Sequence, residues 1–247
     1  MRTFAEGSFG DVAVVAILAA YGTLVLATFW DSPYIAALLL VPPPIILGSM
    51  WSDPREAAAM GFAGAILGPL TEMACAAGGL WTYANTGGLP YVPPWNFPIW
   101  ACFPLALWLI AGSLSTTEVP KRSSPRDLVL ALVGVGAEIA IFVAFGMNPP
   151  LALGGGAVLA AALLLTFREE ATLAMMGAGA LLGPFCESLP IAAGAWWYAA
   201  PAKIFGMLAY MILAYAVFGG LLGHASRAAG AILSAAIEGR AKTTGLG

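Results

Sequence analysis

Charge is what this sequence has least of. Asp, Glu, Lys and Arg together make up 9% of its 247 residues, against 60% apolar side chains. A water-soluble domain carries about a quarter charged residues, so this composition excludes a soluble globule. The net charge is only −3 and no basic run occurs. There is accordingly no footprint for a nucleic acid or an acidic surface as partner. Histidine is nearly absent: one His accompanies three cysteines (Cys75, Cys102, Cys186), none in Cys-x-x-Cys spacing. No Cys/His metal site is expected from that set, and no cofactor is implied. The cysteines lie in apolar segments and are expected as small buried hydrophobes. The N-terminus, MRTFAEGSFGD, has a single Arg and two acids before the first apolar run. It makes a poor signal peptide, so that run is expected to be a retained span.

Long apolar runs fill the rest, and the mean hydropathy is +0.88. At about 20 residues per crossing, eight transmembrane helices are expected, over residues 10–30, 33–51, 56–84, 96–115, 127–147, 149–167, 170–199 and 203–225. The fold class is an all-α polytopic bundle. Asp31-Ser32-Pro33, Ser52-Asp53-Pro54 and Asn148-Pro149-Pro150 supply turns between spans, because proline ends a preceding helix. The Pro42–Pro44 run is expected to break the second span, and Gly154–Gly156 to allow close helix approach. Charge placement orients the bundle. Arg2, Arg55, Lys121, Arg122, Arg126, Arg168, Arg227, Arg240 and Lys242 fall on the side of both termini, and only Lys203 on the other. The positive-inside rule then puts both termini in the cytoplasm, across the cell's inner membrane.

The chain also repeats itself. Residues 68–84 (GPLTEMACAAGGLWTYA) and 183–199 (GPFCESLPIAAGAWWYA) align at an offset of 115, preserving Gly-Pro, Glu, Gly, Trp and Tyr. The expected organisation is a first four-helix repeat over 1–115, a cytoplasmic linker over 116–126, a second repeat over 127–226 and a tail over 227–247. With an even number of spans in each half, the repeats share one orientation and are parallel.

Each repeat places a carboxyl, Glu72 or Glu187, past the middle of a span. A carboxyl in hydrocarbon is costly and is expected to hold its proton. Such a group can serve as an acid, carry a proton in transport, or bond two helices together. Glu138 is a third intramembrane acid, and its equivalent at the same offset is Thr23. Trp81, Tyr83, Trp95, Trp196, Trp197 and Tyr198 gather on the outer half with the paired acids, either lining an apolar pocket or anchoring the interface. Residues 86–98, with Pro90, Pro93, Pro94 and Pro98 and no charge, suit a rigid lid over a cavity mouth. His224 is expected as a surface titrating group near the cytoplasmic rim.

An acid followed by Gly-x-Trp-x-Tyr resembles the membrane-embedded lycopene cyclase domain of carotenoid biosynthesis. The matching residues are Glu72, Gly79, Trp81, Tyr83 and Pro90, then Glu187, Gly194, Trp196 and Tyr198. A looser likeness extends to membrane carotenoid hydratases and meroterpenoid cyclases. The family's paired acids after Leu-Pro are absent, since Tyr91 and Val92 follow Leu89-Pro90. The resemblance implies an enzyme that cyclises, hydrates or isomerises an apolar isoprenoid by protonation. Glu72, Glu187 and Glu138 would be the catalytic candidates, and the six aromatics would bind substrate and stabilise a carbocation. Two other readings stand beside it: a proton- or cation-coupled transporter or flippase using the paired glutamates, and a non-catalytic subunit of a membrane complex. The expected partners are membrane lipid and a lipophilic small molecule, with the oligomeric state left open.

Overall fold

The computed structural model describes residues 9–115, 123–200, 203–204 and 206–244, with side chains described as far as Ala236. Most of the expected linker, Lys121 and Arg122 within it, and Arg2 lie outside the described residues; so do the side chains of Arg240 and Lys242. The helices are α1 (Phe9–Phe29), α2 (Pro33–Leu39), α3 (Pro42–Ser49), α4 (Pro54–Ala77), α5 (Asn96–Leu114), α6 (Pro125–Phe145), α7 (Pro149–Thr166), α8 (Glu170–Ala192) and α9 (Met211–Thr244). Short strands β1 (Trp81–Tyr83), β2 (Trp196–Tyr198), β3 (Lys203–Ile204) and β4 (Met207–Leu208) complete the order. Among the described residues, seven helices are long and apolar enough to cross a membrane. The chain is a multi-pass, all-α membrane bundle.

Local chemistry sets the helix starts. Asp53 caps α4 by accepting the backbone N–H groups of Arg55 and Glu56 at 2.8 and 3.3 Å. Ser124 and Asp127 form a reciprocal capping box on α6, and Asn148 caps α7. Proline follows each of these caps, where its missing N–H costs nothing. The expected span over 33–51 is two short helices. Three successive prolines from Pro42 cannot continue α2, so the chain restarts there as α3.

The helix ends correct the sequence reading. The spans expected over 56–84 and 170–199 stop at Ala77 and Ala192. Gly79 and Gly194 take φ of +79° and +90°, the left-handed region that glycine enters freely. The N–H of Leu80 then bonds to the Cys75 carbonyl and that of Gly79 to Ala76, a Schellman ending, and Ala195 and Gly194 repeat it on Pro190 and Ile191. Past these turns β1 and β2 pair antiparallel, with Thr82 opposite Trp197 at the centre. Those two residues are themselves 115 apart. The last span also differs from expectation. Strand β3 (Lys203–Ile204) pairs antiparallel with β4 (Met207–Leu208), and α9 runs from Met211 to Thr244, into the segment expected to be a tail.

The centre of the bundle is α4, α5, α8 and α9 packed on one another. Glycine makes that contact close. A methyl group on Gly64 would sit 2.3 Å from the Trp100 carbonyl oxygen, and one on Gly68 2.1 Å from the Trp100 ring. Gly179 and Gly183 meet the Tyr215 carbonyl and ring at the same 2.3 and 2.1 Å. Both pairs are Gly-x-x-x-Gly, which lets helix backbones approach. On the opposite face of α4 and α8, Ile66, Leu70, Leu181 and Phe185 are exposed, as lipid-facing side chains are.

Candidate functional site

The Schellman turns decide where the aromatics go. They turn the chain back, so the tyrosines of the β pair reach the carboxyls of the helices that precede them. The Tyr83 hydroxyl donates to Glu72 Oε2, and the Tyr198 hydroxyl donates to Glu187 Oε2 at 2.6 Å. Trp100 of α5 donates its indole N–H to Glu72 Oε1 at 2.9 Å. The Tyr215 hydroxyl of α9 donates to Glu187 Oε1. Asn96 adds a bond from its Nδ2 to the Tyr83 oxygen at 3.3 Å. Every oxygen of the two paired carboxyls therefore has a donor from the chain itself. Trp100 and Tyr215 also stand 115 apart. Sequence reading missed Tyr215, although carrying the offset forward from Trp100 points to it.

Two cavities meet at this constellation. Glu72, Trp100, Glu187 and Tyr215 line both and form their shared wall. The larger cavity has a volume of about 920 Å³ with its open mouth included, and its lining includes Thr23, Trp95, Asn96, Cys186 and Trp196. The smaller, about 530 Å³ on the same basis, is lined in part by Trp81, Glu138, Phe142, Tyr210 and Phe218. Trp95 packs on Tyr83 and Trp196 with ring centroids 5.5 and 5.8 Å apart. Trp81 meets Tyr198 edge-on at 5.5 Å.

Four buried polar atoms at these cavities have no hydrogen-bond partner among the described residues. Trp95 Nε1 and Asn96 Oδ1 belong to residues of the larger cavity, Trp81 Nε1 and Glu138 Oε2 to residues of the smaller. Buried polar groups are almost always paired, so each of these four atoms is an exception.

Other expected residues lie elsewhere. Trp197 is 52% exposed at the centre of β2 and lines neither cavity. His224 is not at the surface. It is buried, 2.9 Å from the Thr172 hydroxyl, with its ring stacked on Phe167 at 3.9 Å. Arg227, expected in the tail, is 4% exposed. Its guanidinium lies 4.5 Å over the Trp108 ring, and its Nε is 3.9 Å from Glu56. Cys75, Cys102 and Cys186 are unbonded thiols. Among the described residues no group of three or more His, Cys, Asp or Glu could hold a metal ion.

No family model and no curated protein matches the chain. Among solved structures, it is similar to a mycobacterial Insig homolog, MvINS from Mycobacterium vanbaalenii. The TM-score is 0.57 at 20% identity, covering 70% of this chain and 93% of that one. A cross-linked trimer of a cysteine variant of MvINS matches equally well. At that identity the likeness is one of fold.

That fold likeness overturns the resemblance to the lycopene cyclase domain. With it go the reading as an isoprenoid cyclase, hydratase or isomerase and the place in carotenoid biosynthesis. The geometry gives the paired acids another role. Glu72 and Glu187 accept at both oxygens from Tyr and Trp donors of the same chain, which makes them acceptors that join neighbouring elements.

Proposed function

We propose that this chain is a non-catalytic membrane protein that binds an amphipathic lipid in the larger cavity. The ligand has an apolar body and a small hydroxyl head. One observation carries the reading: Trp95 Nε1, a donor, and Asn96 Oδ1, an acceptor, are adjacent in sequence, buried, and without partners. A hydroxyl head can both accept from an indole N–H and donate to an amide oxygen, so it has the chemistry either group lacks. Val15, Leu18, Leu26, Leu40 and Leu47 on the α1–α3 side of the same cavity suit an apolar body. Glu72 and Glu187 serve as acceptors that tie α4 to α5 and α8 to α9, and they keep the wall between the cavities in place.

The proposed architecture is two parallel repeats, 1–115 and 127–226, in the inner membrane with both termini cytoplasmic. Its support is the constant offset, by which α5 and α9 begin at Asn96 and Met211 and β1 and β2 at Trp81 and Trp196. The orientation rests on the nine basic residues of the terminal side.

The test uses protein in lipid nanodiscs and a long-chain alcohol carrying a photoactivatable diazirine. Labelling is expected on peptides of α1, α5 and α8, and excess unmodified long-chain alcohol should compete it away. Asn96→Leu removes the ligand's hydrogen bond to Oδ1, worth about 1 kcal/mol, together with the internal bond to Tyr83, and should weaken binding about fivefold. Labelling confined to outward faces such as that of α7, and unchanged in Asn96→Leu, rejects the reading.

A further inference from the structure

The two cavities are built from equivalent positions. At the offset of 115, Thr23, Trp95, Asn96 and Trp196 of the larger correspond to Glu138, Tyr210, Met211 and Trp81 of the smaller. The apolar frame is repeated while the polar groups have changed. Where the larger cavity has an amide next to an indole, the smaller has lost the amide to Met211 and gained a carboxyl at Glu138.

We infer that the smaller cavity is a second ligand site, taking the headgroup of a long-chain amino alcohol. Glu138 is 3% exposed, and its Oε2 has no partner within the protein. Among the described residues no Lys, Arg or His lines the cavity to balance it. A buried carboxyl without a partner is costly, and a ligand that supplies N–H donors removes that cost. An amine does so through charge-assisted bonds, the strongest of the common kinds. Rings of Trp100, Phe142, Tyr210 and Phe218 line the same space and offer π-faces to a cation. Trp81, whose Nε1 is the second orphan, is 92% buried as a residue, and an indole N–H can only donate. It therefore calls for an oxygen on the same headgroup. An amine with a neighbouring hydroxyl satisfies both residues, whereas a plain amine leaves Trp81 unanswered. Thr23, by contrast, closes its hydroxyl on the Ala19 carbonyl of its own helix at 2.8 Å, so the larger cavity has no counterpart to Glu138.

The experiment measures equilibrium binding of a tritiated long-chain 2-amino alcohol to nanodisc-embedded protein. The native protein should bind it at least tenfold more tightly than its N-acetyl derivative, which keeps the hydroxyl and chain and loses the basic amine. Glu138→Gln should also weaken it at least tenfold. Because Oε2 has no internal partner, that substitution gives up no protein hydrogen bond there, and thermal unfolding should stay within a few degrees of native. Glu138→Thr, matching the residue at position 23, is the second variant and should behave alike. Asn96→Leu should leave the tight, Glu138-dependent component of amine binding unchanged, and Glu138→Gln should leave photolabelling by the long-chain alcohol unchanged, so each site is judged separately. Equal affinity for the amine and its N-acetyl derivative in the native protein overturns the proposal. So does binding by folded Glu138 variants within twofold of native.

Discussion

Gly68→Ala adds one methyl group where no space for it exists. Its Cβ would lie 2.1, 2.3 and 2.5 Å from Cγ, Cδ2 and Cβ of Trp100, whereas carbon atoms need roughly 3.5–4.0 Å. Rotating the indole does not remove the clash, because the Trp100 Cβ is itself within it. Helix α5 must therefore retreat from α4 by roughly an ångström. Overpacking of this kind costs about 1–3 kcal/mol. The retreat also stretches the 2.9 Å bond from Trp100 to Glu72. A carboxyl oxygen left without its donor adds about 1–3 kcal/mol, bringing the total to about 2–6 kcal/mol. Gly183→Ala should cost a similar amount, since its Cβ would sit 2.1 Å from Cγ of Tyr215, the donor to Glu187. The control is Gly177→Ala, also in α8, where an added Cβ meets nothing within 4 Å. Reversible unfolding in mixed SDS micelles, followed by circular dichroism, reads all three. The packing account is refuted if Gly68→Ala and Gly183→Ala unfold at the same SDS fraction as Gly177→Ala.

Tyr198→Phe deletes the 2.6 Å donor to Glu187 and should cost about 1.5–3 kcal/mol in the same assay. Thr82→Ala, on the exposed side of β1, should stay within about 0.5 kcal/mol of native. A hydroxyl that merely anchors the interface would leave Tyr198→Phe as neutral as Thr82→Ala. Arg227→Ala removes both the charge near Glu56 and the stem packed on Trp108, so Arg227→Met, which keeps an apolar stem, should be the less damaging of the two. Adding Glu56→Gln to Arg227→Met should restore part of the lost stability, because Glu56 then no longer stands uncompensated. Additive losses in that pair contradict the assignment. Thr172→Val should lower stability by about 1 kcal/mol through its bond to buried His224, and an unchanged melting curve places that histidine in water.

Much of this arrangement is written in the repeat. The offset of 115 read between residues 68–84 and 183–199 also relates Trp100 to Tyr215, Phe103 to Phe218 and Thr23 to Glu138. The helix-borne partners of the two glutamates, Trp100 and Tyr215, each lie 28 residues further along the chain, on a neighbouring helix whose facing side has no local signal. Without them the carboxyls look free for chemistry. Gly79 and Gly194 were legible as glycines and misleading in effect. Glycine is tolerated within transmembrane helices, so apolar sequence on both sides reads as one continued span. What ends the helix is the positive φ at each, and the Gly78-Gly79 doublet was the available hint. His224 and Arg227 sit in a less apolar stretch and read as surface groups. They are buried because α4, α5 and α8 close around α9 there, which no local pattern records.

The most direct test follows the fate of the ligand. Nanodisc-embedded protein is loaded with the diazirine-bearing long-chain alcohol in the dark, held at 25 °C overnight, and the bound lipid is extracted for mass spectrometry. The account predicts a lipid of unchanged mass, retained by the native protein and depleted in Asn96→Leu. Recovery of a converted product from the native protein, abolished in Glu72→Gln or Glu187→Gln, would contradict it.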